Sequence, residues 1–406
     1  MRRLPNLVAS AVLVALVATV AAVGLPMTGA AAATHAAAVP DATATKPVGV
    51  TKTTVSVAGI VGADPLSTGA EIGAQARLAR ANRTKELHGL TVEYLRTEPA
   101  ADSVAADAAA TRLAAEAFAV VPAIGPWVGA PTLAHAGVPF FGSASTAEWY
   151  ANRTGFGFTG VAITERTRIA DSPLGMLLRD TLGGVDAPVA VVYDDDPAGL
   201  VHATHVRRSL RAAGFRTVDV VAVPLLPAPY DTAALAARPA NGVNVFLTST
   251  ARTVDLVGRL VTAASTATMV VGPEFYAPTA PVLANGLTVL TAVAPFEEAT
   301  VANRRLAADV EAFAPGTVVT PAIAAGYWSA DLFLRGMSAT GKHPTRAGLL
   351  DALNSAHFTY AVAGTVGRST WPEMHTQPVP CGSLSQSDGT QFVVVAPYGC
   401  APARRR

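Results

Sequence analysis

The stretch Pro139–Trp149, P-F-F-G-S-A-S-T-A-E-W, breaks an apolar run into small hydroxyl residues and then into helix-forming sequence. That order reads as a strand, a tight loop and a helix start. Ser145 stands three residues before Glu148, the spacing at which a hydroxyl accepts from a free backbone N–H while the carboxylate reaches back to the cap. A helix start there would aim unpaired N–H donors and a partial positive charge out of the strand end, a setting that suits a carboxylate or phosphate. Ser143, Ser145 and Thr146 would add neutral donors. On these residues alone, a plain capped helix after a buried strand accounts for the stretch equally well.

Outward from this point the chain alternates. Toward the N-terminus, strands are predicted over Thr54–Val61, Leu90–Leu95 and Ala119–Ile124, and helices over Ala70–Asn82 and Ser103–Ala117. Toward the C-terminus the alternation restarts with a strand over Pro188–Tyr193, the loop D-D-D-P-A-G at Asp194–Gly199, and a helix ending at Ala213–Gly214. Strands over Val218–Val223, Val243–Thr248 and Thr268–Val271 follow, separated by helices over Tyr230–Ala237 and Val254–Ala264. Strands alternating with helices predict parallel sheets with crossover helices, in two α/β units of similar size. Three strand ends carry polar or aromatic groups, at G-P-W, G-S-A-S-T and G-P-E-F-Y, and in such sheets ligands sit where the strands end. Helices are then expected over Asn303–Phe313, Ala322–Ser338 and Thr345–Asn354, and strands over Val362–Val366 and Gln391–Val395.

The 406 residues suffice for two ordinary domains, and 30 Lys+Arg against 29 Asp+Glu leave no basic excess for a nucleic-acid partner. Arg2 and Arg3, an apolar run from Leu7 to Val23, and the small residues Ala30–Ala33 follow the order of a secretory signal peptide. The competing reading is an uncleaved anchor, because the run approaches the roughly 20 residues that span a bilayer. With A-x-A sites at its end and no cysteine near it, cleavage and export without a lipid are expected, leaving residues 34–52 as a flexible leader. Cys381 and Cys400 are the only cysteines, and in an oxidising space they are expected to pair. Two thiols without paired histidines do not make a zinc site, and no cofactor is expected.

Other patterns weigh little. G-F-G-F-T-G at Gly155–Gly160 spells a dinucleotide fingerprint but follows N-R-T rather than a strand, so it is read as an extended crossing between the two units. His202 and His205 sit at helical spacing without further ligands and read as surface residues. Asp194–Asp196 reads as a solvated loop with one hydrogen-bonded member, since no calcium-loop spacing surrounds it. Trp127, in a Gly/Pro loop at a strand end, reads equally well as a packing residue or as an apolar wall for a ligand.

In the order of its features the chain resembles the leucine/isoleucine/valine-binding protein family, the type I periplasmic binding proteins that serve ABC importers. The resemblance runs from about Thr53 to Val395 and rests on V-A-G-I-V-G-A-D-P-L-S-T-G, A-G-V-P-F-F-G-S-A-S-T-A-E-W, V-A-V-V-Y-D-D-D-P-A-G, G-P-E-F-Y and A-G-Y-W-S-A-D-L-F-L-R-G-M. It implies an α/β fold of two doubly wound parallel-sheet lobes, joined by three hinge crossings around a central ligand cleft. Lobe 1 would hold residues 53–160 and about 295–361, lobe 2 residues 161–294 and about 362–400, and residues 401–406 would form a basic tail. Carried over, Ala144, Ser145 and Thr146 match positions that hold an amino acid's carboxylate, Glu274 matches the position that takes its ammonium group, and Tyr276 lies in the same segment. The chain departs from the pattern at G-P-W-V-G, where the family usually offers a serine, and at Pro197 and Ala198, where a tyrosine is common. No aromatic stands near Thr248–Ala251 either.

The expectation is an exported, monomeric binding protein, not an enzyme, that captures a small amino acid-like solute and presents it to an ABC permease. Two other readings remain: a ligand sensor on the same fold, and a secreted hydrolase using Ser143 or Ser145, which would need a histidine base.

Overall fold

The computed structural model describes residues 48–64, 66–87, 89–164, 166–167, 173–225 and 231–401. The expected signal segment, residues 34–47 of the leader, Pro65 and Tyr230 within their predicted elements, and residues 402–406 of the tail lie outside the described residues.

Five strands, β1 (Thr54–Gly62), β2 (Thr91–Ala100), β3 (Ala119–Ile124), β4 (Phe140–Ala144) and β5 (Gly155–Val161), form one parallel sheet in the order β2-β1-β3-β4-β5. Alternate side chains of a strand point to opposite faces, so two separate cores form on this sheet. Val55, Val57, Ala119 and Val121 pack on one side with α1 (Ala70–Thr84), while Ala58, Ile60, Val120 and Ala123 pack on the other with α2 (Ser103–Glu116) and α3 (Ala130–His135).

The second sheet has seven strands. Its parallel part contains β6 (Val189–Asp194), β7 (Val218–Val223), β8 (Val243–Leu247), β9 (Thr268–Val271) and β10 (Thr288–Thr291). The helices between are α4 (Leu174–Leu182), α5 (Pro197–Ala212), α6 (Ala233–Ala236) and α7 (Thr250–Thr262). Again the faces separate: Val189, Val191, Val243 and Val245 bury against α4 and α5, and Ala190, Val192 and Phe246 against α6 and α7.

From β10 the chain returns to the first sheet, where α8 (Val301–Phe313), α9 (Pro321–Thr340) and α10 (Arg346–Leu353) pack on the α1 side. The hairpin β11 (Thr359–Val362) and β12 (Val366–Thr370) stays there too. Ser369 donates to the Phe158 carbonyl at 3.1 Å, and Trp371 meets the Phe156 ring edge at 5.5 Å. Last come β13 (Cys381–Ser387), antiparallel to β10, and β14 (Phe392–Cys400), antiparallel to β13, giving the order β14-β13-β10-β9-β8-β6-β7. Cys381 and Cys400 face each other across that last ladder and form a disulfide.

The chain crosses between the sheets three times: after β5, between β10 and α8, and between Thr376 and β13. The crossings are tied together. Val161 N–H donates to Gln377 and Val379 N–H to Thr159, while the Thr291 and Ser383 hydroxyls pair at 2.7 Å. Both sheets belong to one compact unit.

Several expectations are corrected. Gly155–Gly160 is a paired strand of the first sheet rather than an extended crossing, because Phe156 and Phe158 are buried there and a Cβ on Gly157 would lie 2.3 Å from the Gly160 carbonyl. The strand expected at Val362–Val366 is the turn of the β11–β12 hairpin, with Gly364 at φ 66°. Packing keeps residues up to about Met374 with the first sheet, whereas the sequence placed the return to the second sheet near residue 362. The second sheet keeps the expected parallel body and adds β13 and β14 at one edge in antiparallel pairing.

Candidate functional site

Strand β4 delivers Ser143 and Ala144 to the C-terminal edge of the first sheet, and β9 delivers Gly272–Glu274 to the C-terminal edge of the second. Between them lies a cavity of about 480 Å³. Ser143, Ala144, Ser145 and Thr159 line it from the first sheet, Thr248, Gly272, Glu274 and Thr291 from the second, and Ala162, Pro378 and Val379 from the crossings. Its volume falls in the range of small-molecule sites. Most of its wall is apolar, with Val161, Leu174, Val206, Val245, Phe246 and Leu290 among the lining side chains.

The helix start expected after Ser145 is not there. The chain makes only a 3₁₀ turn, Ala147–Trp149, and its cap residue Thr146 makes no side-chain capping bond. Trp149 is the cause: its ring is buried and lies edge-on to Phe140 at 4.7 Å, which draws the chain into the core after a single turn. Ser145 N–H donates to the Ser143 carbonyl. Glu148 does not reach back to a cap; burial and then the nearby Asp107 raise its carboxyl pKa, and its Oε2 has no hydrogen-bond partner. The Thr146 hydroxyl is likewise buried without a partner, and Thr146 does not line the cavity. No helix N-terminus therefore offers an anion site at this edge; the hydroxyls of Ser143 and Ser145 remain.

Glu274 sits on the 3₁₀ turn Pro273–Phe275 directly after β9. Its carboxylate folds back over Gly272, where an added Cβ would lie 2.3 Å from Oε2, so a side chain at 272 would displace the carboxylate. Burial raises its pKa above the ordinary carboxylate value, opposed by a hydrogen bond from its own backbone N–H. Among the described residues no cation forms a salt bridge with it.

Tyr276 is buried and lines a smaller cavity of about 150 Å³ that shares Ser143, Thr159, Pro273 and Thr291 with the larger one. Its hydroxyl donates to Glu297 and accepts from the Phe296 N–H, and its ring stacks on Phe296 at 5.5 Å. Those bonds tie the Glu274 turn to the second crossing. Trp127 is 40% exposed and does not line the larger cavity. Asp194 pairs with Arg252 at 3.1 Å and accepts from Ser249 N–H, and Asp196 caps α5, so two members of the acidic run serve the fold. Among the described residues no acidic, histidine and cysteine group could hold a metal, and no helix is long and apolar enough to cross a membrane.

Sequence reading missed His202. It and His205 are not surface residues: His205 is 5% exposed, its pKa pushed down to about 4 by burial, and His202 lines the larger cavity. Their address was encoded. Val206 and Leu210, four and eight residues on, are buried against the sheet, which puts His202 on the same inward stripe of α5.

No curated protein matches the chain. Among solved structures it is similar to a fatty acid ABC transporter substrate-binding protein from Thermomonospora curvata, at 17% identity and TM-score 0.66, covering 88% of this chain and 95% of that one. It is similar also to the branched-chain amino acid transporter substrate-binding protein LivJ from Streptococcus pneumoniae in complex with isoleucine (15%, TM-score 0.61, 85% and 100%). A third likeness is the solute-binding protein of an ABC transporter from R. palustris in complex with 4-hydroxybenzoate (17%, TM-score 0.62, 86% and 98%). At these identities the likenesses speak to the fold. The family model described as periplasmic binding protein matches residues 55–391, and the chain belongs to that family.

Proposed function

We propose that the protein is an extracytoplasmic solute-binding protein that closes its two lobes on a small molecule and presents it to an ABC importer. The ligand is read as an amino acid or a related amide or carboxylate, with its amine at Glu274, its polar acceptor end at Ser143 and Ser145, and an apolar body between. The observation that carries this reading is the cavity of about 480 Å³ between the facing strand ends, with the Ser143 and Ser145 hydroxyls on one wall and Glu274, the one carboxylate of the lining, desolvated on the other. A carboxylate that has lost water without gaining a cation is costly, and a ligand ammonium offsets that cost. Neighbours of the same fold hold isoleucine and 4-hydroxybenzoate, both small solutes with an apolar body. Closure follows from differential affinity: a ligand touching both lobes favours the closed form. Export through residues 1–33, and action as a single chain, belong to the same reading. The hydrolase alternative draws no support, since neither Ser143 nor Ser145 shares a hydrogen bond with a histidine among the described residues.

The test is a thermal-shift screen of the chain from Thr34 against amino acids, small amides, short peptides and aromatic acids. A true ligand at 100 times its Kd stabilises the fold by about 2.7 kcal/mol. No shift with any compound that carries an amine would overturn the assignment of Glu274.

A further inference from the structure

On the second lobe's wall of the cavity Thr248 pairs with Thr253 and Thr291 with Ser383, whereas His202 is unpaired among the described residues and the reading above leaves it unused. His202 lines the cavity from α5, among Leu174, Val206, Val245 and Val270, all apolar. Its imidazole makes no hydrogen bond with a described residue, and burial lowers its pKa, so the ring is neutral near pH 7 and offers one N–H donor and one bare nitrogen acceptor. No hydrogen bond joins it to His205, one turn on, whose own Nε2 is buried without a partner. His202 is half-buried and its ring nitrogens are not among the fully buried unpaired atoms, so they meet the solvent of the cavity, and a ligand atom that hydrogen-bonds there takes the place of water. Position matters as well. Leu174, Val206, Val245 and Val270 belong to the core on the α4–α5 face of the second sheet, whereas Phe275 and Tyr276, beside Glu274, pack into the core of the opposite face. Glu274 and His202 therefore approach the cavity from opposite faces of the same sheet.

We infer that His202 is a second polar subsite, so that the ligand carries a hydroxyl or carbonyl at the end of its apolar body remote from Glu274. The ligand class is then an aryl or alkyl solute with polar groups at both ends, rather than a purely aliphatic amino acid. This rests on the reading of the cavity as the ligand site.

The experiment is isothermal titration calorimetry on the chain from Thr34 with two probe pairs, L-tyrosine against L-phenylalanine and 4-hydroxybenzoate against benzoate. In at least one pair the hydroxylated probe binds about tenfold tighter to the wild type, the yield of one well-formed hydrogen bond. His202→Leu removes that preference while changing the affinity of the unhydroxylated partner less than about threefold, and His202→Gln, which keeps a donor and an acceptor, restores part of it. Equal affinities within both pairs in the wild type, or a preference that survives His202→Leu, overturns the inference. Failure of all four probes overturns it too, and the broader screen above then decides separately whether the cavity binds solutes at all. Should His202→Leu not fold, the wild-type comparison and His202→Gln still decide.

Discussion

Glu274 concentrates the electrostatics of the site in one side chain. Burial raises its carboxyl pKa, so in the ligand-free protein the charged form is disfavoured and the stability linked to this group is greatest at low pH and lost as pH rises through the folded pKa. Ammonium binding runs the other way, because only the ionised carboxylate pairs with a cation. The affinity for an amine-bearing ligand is therefore expected to fall by up to about tenfold per pH unit below that raised pKa and to level off above it. Glu274→Gln should flatten the profile, weaken the amine ligand more than a simple carboxylate, and stabilise the empty protein at neutral pH. Calorimetry across pH 4 to 8 reads the first two effects and a melting curve the third; a pH slope that persists in Glu274→Gln would move the titrating group elsewhere. The resemblance singles out Glu274, and the strand end singles out Ser143 and Ser145; all three stand on the cavity wall. His202 is legible only through its neighbours, since Val206 and Leu210, not the histidine itself, mark the inward stripe of α5.

Helices α1 and α9 show how much of an element's role is invisible in its own letters. Gly73 and Gly326 let the two backbones touch: a Cβ on either would lie 1.8 Å from a carbonyl oxygen of the other helix, at Ile323 or Ala70. Along the same pair Arg77 bonds Asp331 and Arg80 bonds the Tyr327 hydroxyl, both at 2.7 Å, and Arg80 also reaches Asp309 of α8 at 2.7 Å, so polar groups buried by the close approach are matched. Gly258 of α7 is the opposite case, with no atom within 4 Å of an added Cβ. Gly326→Ala is thus expected to destabilise by about 1–3 kcal/mol through overpacking. Gly258→Ala should stabilise by about 0.5–1 kcal/mol through helix propensity alone. Urea midpoints at constant slope measure both, and equal signs would refute the packing argument. The strands missed from sequence have a related cause. β5 spaces its Phe residues with glycines and reads as a crossing, and β13, C-G-S-L-S-Q-S, is built of small hydroxyl residues that carry no strand pattern; both are strands because neighbouring strands pair with them on the sheet. Val- and Ile-rich strands such as β1 and β6 needed no such context.

At the scale of the whole molecule the two-unit alternation was plain in the sequence, while the boundary between units was not, since the last stretch leaves the first sheet only after the β11–β12 hairpin. The third crossing enters β13 at Cys381, a residue that lines the cavity and is bonded to Cys400 at the end of β14. This bond sits where hinge, ligand wall and last strand meet, so its removal separates two roles. Through chain entropy, a closed loop with a sequence separation of 19 is worth about 3 kcal/mol. The hinge itself has other ties: Val379 N–H to Thr159, Val161 N–H to Gln377, the Thr291–Ser383 pair, and the ladder of β13 with β10, none of which involves sulfur. The double variant Cys381→Ala/Cys400→Ala is therefore expected to lose about 3 kcal/mol of stability in urea, yet to keep its ligand affinity within a few-fold. If affinity instead fell tenfold or more in a variant still fully folded, the disulfide would be setting the geometry of the closed cleft rather than only holding the last two strands together.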